Sequence, residues 1–321
     1  MRGFNHQRLK LMEQDSQVTH ETHDGYHWTK QDCPLCNKPP TRFVGKRGGA
    51  SHRENLGVET DIWACAECNI VFPNPMPFPV RGLGQHYEVD ADEYFQVYDK
   101  EDKLRSGVDL VMQAEKLLGR TGKLLEIGVG RGEVLIAAKD RGWKVFGIEP
   151  SNSFADYAES RTNAKIWRQT IEEADVPQHE FDAVIFSAVL EHVYNPDQVM
   201  AKVSGVLKSG GVLYVDVPNE NGLYFRVGNI YQKLRGRDWC VNLAPTFSPF
   251  HVMGFSPKSF RAILNKHGLE PKLWKVYGGT GLVPSRGGII GKFEAIAAKV
   301  VTAISDIGEM GTYMQTWAVK K

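Results

Sequence analysis

From about residue 94 onward, short continuous apolar runs alternate with stretches of helical spacing. Lys123-Leu124-Leu125-Glu126-Ile127, Lys144-Val145-Phe146-Gly147-Ile148 and Asp182-Ala183-Val184-Ile185-Phe186 predict strands. The last is unbroken, as suits a strand covered on both faces. Glu133 to Arg141 predicts a helix stopped by Gly142, and Ser151 caps another that reaches about Arg161. Asn195 opens the next helix, with Pro196 at its first position, Asp197 in its first turn and Gln198 completing a capping box. Its apolar stripe is Val199, Val203, Val206 and Leu207, and Gly210-Gly211 stops it. A strand over 212–217 follows. Ser256-Pro257 then starts a helix with Phe260, Ile263, Leu264 and His267 on one face, ended by Gly268. This alternation predicts an α/β fold, a doubly wound and mostly parallel sheet with helices on both faces.

Upstream the texture changes. Residues 1–30 lack apolar periodicity and are expected to form a mobile tail. Residues 31–80 are cysteine-paired and rich in Pro and Gly. They end in Val71-Phe72-Pro73-Asn74-Pro75-Met76-Pro77, whose prolines exclude a helix or a central strand. Residues 81–321 read as one further domain. Within it, 219–250 carries Tyr224, Phe225, Tyr231, Trp239, Phe247 and Phe250 with Lys233, Arg235 and Arg237 between them. It is too long for an ordinary connection, and reads as a substrate lid or as an accessory helix docked on the core. Ile289, Phe293, Ile296, Ala297, Val300 and Ile304 recur at helical spacing. Because Lys292, Glu294 and Lys299 mix on the polar side, this helix is expected to present a core or homodimer face, not a membrane anchor.

Composition narrows the class. The chain has 321 residues, 42% hydrophobic and 24% charged, the profile of an ordinary globular protein. No run of about 18 apolar residues exists to span a bilayer, and the polar, histidine-bearing N-terminus lacks the apolar region of a secretory signal. With 39 Lys+Arg against 38 Asp+Glu, the net charge of +1 is not the footprint of a nucleic-acid-wrapping protein. Five cysteines are too few for a disulfide scaffold, so a reducing, cytoplasmic setting is expected. Cys33-Pro34-Leu35-Cys36 and Cys65-Ala66-Glu67-Cys68 are two CxxC knuckles of the kind that hold tetrahedral zinc. Four protein ligands leave no position for water, so that ion would be structural. Cys240 reads as a small buried apolar residue.

The most informative segment is Leu124-Leu125-Glu126-Ile127-Gly128-Val129-Gly130-Arg131-Gly132, a glycine turn between a strand and a helix. Its spacing is G-x-G-x-G, not the G-x-G-x-x-G of dinucleotide sites. Glu126 and Glu133 flank it. Carboxylates there repel a pyrophosphate but suit a ligand bearing an ammonium and a sulfonium. Glu149 ends the second strand, where this topology meets ribose hydroxyls. Ser187 ends the third, ahead of Ala188-Val189-Leu190-Glu191-His192.

The chain thereby resembles the class I S-adenosylmethionine-dependent methyltransferases. The resemblance rests on Leu125 to Gly132, on Gly147-Ile148-Glu149-Pro150, on Phe181 to Ile185 with Val189 to Val193, and on Leu207 to Leu213; it covers about residues 90–321. It implies cofactor contacts from Glu126, Gly128, Gly130, Gly132, Glu149, Pro150, Ile171, Glu172 and Ser187. Gly128 and Gly130 would pass under the methionine part, Glu149 would hold the ribose, and Ile171 and Glu172 would line the adenine. It also implies an antiparallel last strand, placed at Tyr313 to Val319. The stretch from Cys65 to Pro75, with Gln85-His86-Tyr87, is similar to the N-terminal ribbon of some bacterial small-molecule and sugar methyltransferases. His192 and His251 are the candidate general bases. Some relatives that act on phenolic quinone precursors bind a divalent ion through the Glu-His pair and a Glu three residues before it. That position is Ala188 here, so a catalytic metal is not expected. The implied activity is methyl transfer to oxygen, less readily to nitrogen or carbon, of a small metabolite or sugar. An RNA base methyltransferase using the ribbon as a grip, or a non-catalytic cofactor-binding scaffold, is the alternative.

Overall fold

The computed structural model describes residues 21–86, 100–278, 296, 300 and 308–321. The N-terminal part is built from two small sheets. Strands β1 (Glu21–His23), β2 (Tyr26–Thr29) and β6 (Met76–Pro79) form one, and β3 (Arg42–Arg47), β4 (Thr60–Ala64) and β5 (Val71–Pro73) the other. The expectation of a tail reaching residue 30 is thus corrected. Residues 21–29 form a hairpin paired with β6, and Tyr26 and Trp28 are buried. The proline-rich stretch behaves as its composition requires, since β5 and β6 are short and lie at the edges of their sheets.

The large sheet has seven strands in the order β12-β13-β11-β10-β7-β8-β9. These are β7 (Lys123–Ile127), β8 (Lys144–Ile148), β9 (Lys165–Trp167), β10 (Phe181–Ser187), β11 (Leu207–Pro218), β12 (Leu269–Tyr277) and β13 (Tyr313–Lys320). The strands β9, β8, β7, β10 and β11 pair in parallel, and β13 runs antiparallel to both β11 and β12. The chain therefore winds outward in both directions from β7 and β10, which makes the gap above them the topological switch point.

The helices are α1 (Lys100–Leu118), α2 (Glu133–Asp140), α3 (Asn152–Thr162), α4 (Pro196–Val206), α5 (Leu223–Leu234) and α6 (Pro257–Lys266). The expected caps form. Ser151 accepts from the Phe154 amide at 3.3 Å, and Ser256 and Ser259 make a reciprocal capping box. Asn195 caps α4 by accepting from the Gln198 amide at 3.2 Å, but the Gln198 side chain accepts from the Asn195 side-chain amide, so no capping box closes there. Helix α4 also ends sooner than its apolar stripe predicts. Leu207 pairs with Phe181, and Gly210 and Gly211 lie within β11. Asp182 anchors that early entry by accepting from Lys208 Nζ at 3.0 and 3.1 Å.

Two apolar clusters flank the sheet. One joins it to α1, α2 and α3 through Val111, Leu135, Ala158, Ile185 and Trp317. The other joins it to α4 and α6, and it contains Leu35, Ile70, Phe72 and Met76 of the N-terminal part beside Phe255, Phe260 and Leu264. The 219–250 segment is α5 followed by a strap fixed to β3 and its neighbourhood. Lys46 N donates to Asp238 O at 2.8 Å, Cys240 N to Lys46 O at 3.0 Å, and Arg47 Nε to Leu243 O at 3.0 Å. The strap is thus hydrogen-bonded to the N-terminal part, while Ile230 and Leu234 of α5 stay exposed. Cys240 is buried, as expected. The helix expected over 289–304 lies outside the described residues apart from the exposed Ile296 and Val300, and residues 1–20 and Tyr87 lie outside them too.

Candidate functional site

The glycine turn follows β7 at the switch point. Gly128 has φ +75°, and a Cβ there would sit 2.4 Å from Val189 Cγ2. Only glycine lets this loop meet the segment after β10. Gly130 has φ +53° and stays half-buried at the loop crest. Gly132 serves differently, since it is buried and its missing Cβ would lie 3.2 Å from Ala158 Cβ. It is where α2 packs closely on α3.

Glu149 ties the turn to the second strand. One carboxylate oxygen accepts from Gly130 N at 3.1 Å and the other from Ser151 N at 3.0 Å, with Glu149 only 5% exposed. Half-buried Pro150 follows it. Beneath the turn, Glu126 is 6% exposed, and its Oε2 has no hydrogen-bond partner among the described residues. Burial, reinforced by the neighbouring carboxylates of Glu133 and Glu149, pushes the Glu126 carboxyl well above its usual range. Arg131 Nε pairs with Glu133 at 2.7 Å. An orphaned acceptor amid like charges is a place built for a cation, and an ammonium or sulfonium fits it. Ile171 is buried in the core cluster, and half-buried Glu172 stands beside it with its carboxyl raised by burial.

At the end of β10 the backbone departs from the ordinary. Ala188 takes φ +51°, a costly region for a residue with a Cβ, and its amide donates to Asp216 Oδ1 at 3.2 Å. Asp216 near the end of β11 is half-buried, and desolvation raises its carboxyl, with the Ser187 hydroxyl as a partner. Sequence reasoning missed Asp216 because an acid near a strand end carries no local signal. Ser187 and Asp216 open onto a cleft of about 860 Å³ that runs past Tyr277 and Gln315 under the N-terminal half of α1.

On the other side of that strand end, Leu190–His192 forms a 3₁₀ turn. The Glu191 carbonyl accepts from the amides of Val252 and Met253, each at 2.9 Å, which brings His251 to it. His251 Nε2 lies 3.8 Å from Glu191 Oε1, and the His192 and His251 rings meet edge to face at 4.9 Å. His192 Nδ1 is 3.3 Å from Phe250 O. Burial pushes His192 down to about 4 and His251 to about 3, so both imidazoles are neutral at pH 7. Burial likewise raises Glu191 to about 8. The two candidate bases, 59 positions apart in sequence by their numbering, are thus one cluster.

In the N-terminal part, the sulfurs of Cys33 and Cys68 and those of Cys36 and Cys65 are each 3.5 Å apart. All four lie within 4.8 Å of one another. The knuckles match: Asn37 N donates to Cys33 O and Asn69 N to Cys65 O, both at 2.9 Å, with Asn37 and Asn69 in the left-handed region. None of the four is disulfide-bonded. Such a donor set could hold one soft divalent ion.

Residues 98–272 match the family model described as a methyltransferase domain. The chain belongs to that family. This stretch is an S-adenosylmethionine-dependent methyltransferase domain, in line with the switch-point geometry above. Among curated proteins, the ubiquinone biosynthesis O-methyltransferase of Dechloromonas aromatica is 25% identical over 171 residues, which is 51% of this chain and 71% of that protein. The mitochondrial protein of the same name from Homo sapiens is 25% identical over 181 residues, 53% of this chain and 46% of its own. The chain spans less than half the length of the mammalian relatives it matches. Among solved structures, a methyltransferase of Thermotoga maritima described as a possible histamine N-methyltransferase has a TM-score of 0.47 at 22% identity, covering 74% of this chain and all of that one. A methyltransferase of Archaeoglobus fulgidus has a TM-score of 0.47 at 16% identity, covering 68% of this chain and 94% of its own.

Proposed function

We propose that this chain methylates an oxygen of a small molecule, with S-adenosylmethionine held at the switch point and an acceptor hydroxyl facing the Glu191–His192–His251 cluster. The observation that carries the reading is the Glu126 carboxylate, buried beneath the glycine turn with no hydrogen-bond partner for its Oε2 among the described residues, beside the Glu149 carboxylate that joins that turn to the end of β8. Glu126 would neutralise the cofactor's cationic end, and Gly128 and Gly130 would let it lie against the backbone. Bound there, the cofactor supplies a sulfonium methyl, whose transfer to oxygen forms one C–O bond, breaks one C–S bond and releases one proton. His192 and His251, uncharged and adjacent, suit the removal of that proton. Positioning the oxygen in line contributes most of the rate, about 7–11 kcal/mol in well-oriented reactions.

Support for an oxygen acceptor comes from the name shared by the curated relatives, ubiquinone biosynthesis O-methyltransferase. The four cysteines would hold a structural zinc ion, which requires a reducing compartment such as the cytoplasm. The test is incubation of the full chain with methyl-labelled cofactor and a metabolite extract, followed by mass spectrometry. A labelled small molecule bearing a methoxy group is expected. Label only in RNA, or no turnover by a chain that binds the cofactor, would overturn the reading.

A further inference from the structure

We infer that Arg47 anchors an oxyanion, a carboxylate or a phosphate, carried by the methyl acceptor, so that the N-terminal part supplies one wall of the substrate site. The inference rests on the oxygen-acceptor reading above and deepens it by naming a charge that the small molecule carries.

Arg47 ends β3, and the strap after α5 fixes its side chain. Its Nε donates to Leu243 O at 3.0 Å, and its guanidinium carbon lies 5.1 Å from the centre of the Phe247 ring. That ring in turn packs on His52 at 4.8 Å. These contacts use one of the five N–H donors of a guanidinium. Nη1 and Nη2 have no hydrogen-bond partner among the described residues, and neither is sealed from solvent. A planar fork of four N–H groups, half-buried and held at its root, is preorganised for two oxygens of a carboxylate or phosphate.

The charges around the fork favour an anion. Glu220 is the carboxylate whose charge bears on Arg47, but its Oε2 accepts from Asn242 Nδ2 at 2.7 Å and no ion pair joins the two. Burial pushes Glu220 up to about 7, so it is only partly charged at neutral pH. Burial also lowers Arg47, the mark of a cation short of both water and a counter-ion. A second cation is near, since the charges of Arg47 and Arg53 both act on Tyr224 of α5 and on His52. Glu54, the acid felt by His52, is exposed to solvent.

One peptide unit ties this fork to the histidine cluster. The carbonyl of Leu243 accepts from Arg47, and the amide that follows it, Ala244 N, donates to His251 O at 3.1 Å. Because a peptide's nitrogen and oxygen are about 2 Å apart, Arg47 Nε and the His251 carbonyl are separated by no more than about 9 Å. Leu243 makes the bridge at φ +62°, a costly conformation for a residue with a Cβ. A single metabolite can thus set an anionic group on Arg47 and a hydroxyl before the histidines.

The test has two arms, both on the full chain. In the first, calorimetry in the presence of S-adenosylhomocysteine follows benzoate, phenyl phosphate and neutral benzamide. At least one anion is expected to bind tenfold or more tighter than benzamide, and which one does so tells carboxylate from phosphate. Arg47→Met should abolish that preference with the melting transition retained, and Arg47→Lys, a charge without a fork, should restore only part of it. A residue that merely clamps the strap would alter all three probes alike. No preference in the wild type, or an unaltered one in Arg47→Met, overturns the site. In the second arm, the labelled product from the metabolite extract is passed over an anion exchanger, before and after phosphatase. A retained product is expected, with KM raised at least tenfold in Arg47→Met against a smaller change in kcat. A neutral labelled product overturns the inference, whether or not the variants fold, and leaves the oxygen-acceptor reading standing. An Arg47-dependent anion preference without any methylated small molecule defeats that reading and leaves the anion site.

Discussion

On the proposed reading, cofactor affinity turns on Glu149. Replacing it with Ala removes a charge-assisted acceptor and frees the Gly130 and Ser151 amides, so Glu149→Ala should weaken S-adenosylmethionine binding by about 1–3 kcal/mol by calorimetry. Unchanged affinity would remove it from the ribose role. Asp182 acts on stability instead. It accepts from Lys123 N at 2.8 Å, Arg120 Nη2 at 2.7 Å and Lys208 Nζ. Burial alone would raise it, but these three donors outweigh burial and hold its carboxyl below the usual value. A depressed folded-state pKa stabilises above the unfolded value near 4, and the contribution fades as pH falls through the lowered one. Asp182→Asn should therefore cost about 1–3 kcal/mol at pH 7. Urea melts of the variant and the wild type should begin to converge as pH falls below about 4 and meet once it is below the lowered folded-state value. Glu126, Gly128 and Glu149 were legible in the sequence because strand, turn and strand end lie adjacent along the chain. Asp216 and the meeting of His192 with His251 were not, since only tertiary pairing brings β11 and the 251–253 segment to the mouth of β10.

The elements flanking that mouth come from both ends of the chain. Val71 of β5 exchanges two backbone hydrogen bonds with Gly254, at 2.7 and 2.8 Å, three residues beyond His251. His86 packs edge to face on Phe250 at 4.3 Å, and Tyr194 donates to Pro77 O at 3.1 Å. With the cysteine knuckles holding zinc as proposed, stripping that ion should loosen β5 and with it the histidine segment. The expected signature is hydrogen exchange rising over 250–255 and methyl transfer falling, while cofactor affinity, set across the sheet by Glu149, changes less. Equal loss of both would tie the knuckles to global folding alone. Periodicity found β7, β8, β10 and α6 because each carries its own apolar signal. It passed over α1, whose Gly107 reads as a helix breaker. A Cβ at Gly107 would lie 3.1 Å from Glu133 O, so the glycine is there to let α1 cross the start of α2. The hairpin of β1 and β2 did carry a local signal, the Asp24-Gly25 turn with both residues at positive φ, but its strands are too short to show periodicity and their third strand, β6, lies some fifty residues downstream.

At the scale of the whole molecule, the cysteine-bearing part and the methyltransferase sheet share one apolar cluster. Leu35, Ile70, Phe72 and Met76 sit in it with Phe255, Phe260, Ile263 and Leu264. Deleting residues 1–80 would uncover that surface, and the remainder is expected to be insoluble or to melt well below the full chain in calorimetry. A soluble, cooperatively melting fragment would show the two parts to be independent. The composition of 31–80 pointed to a small stapled unit and was silent on its partner, because a ribbon's few apolar residues look alike whether they face each other or a neighbour.

The Lys266 ammonium reaches back to the carbonyl of Leu35 inside the first knuckle, 231 residues earlier in the chain. On a ribosome adding about 5–20 residues per second, the partner surface arrives roughly 10–50 seconds after the knuckles emerge. Through that interval the four thiols stand in solution with nothing but an ion to occupy them. On the proposed zinc reading, metal supply and oxidant exposure during synthesis decide how much of the chain reaches its finished form, before the first substrate is met.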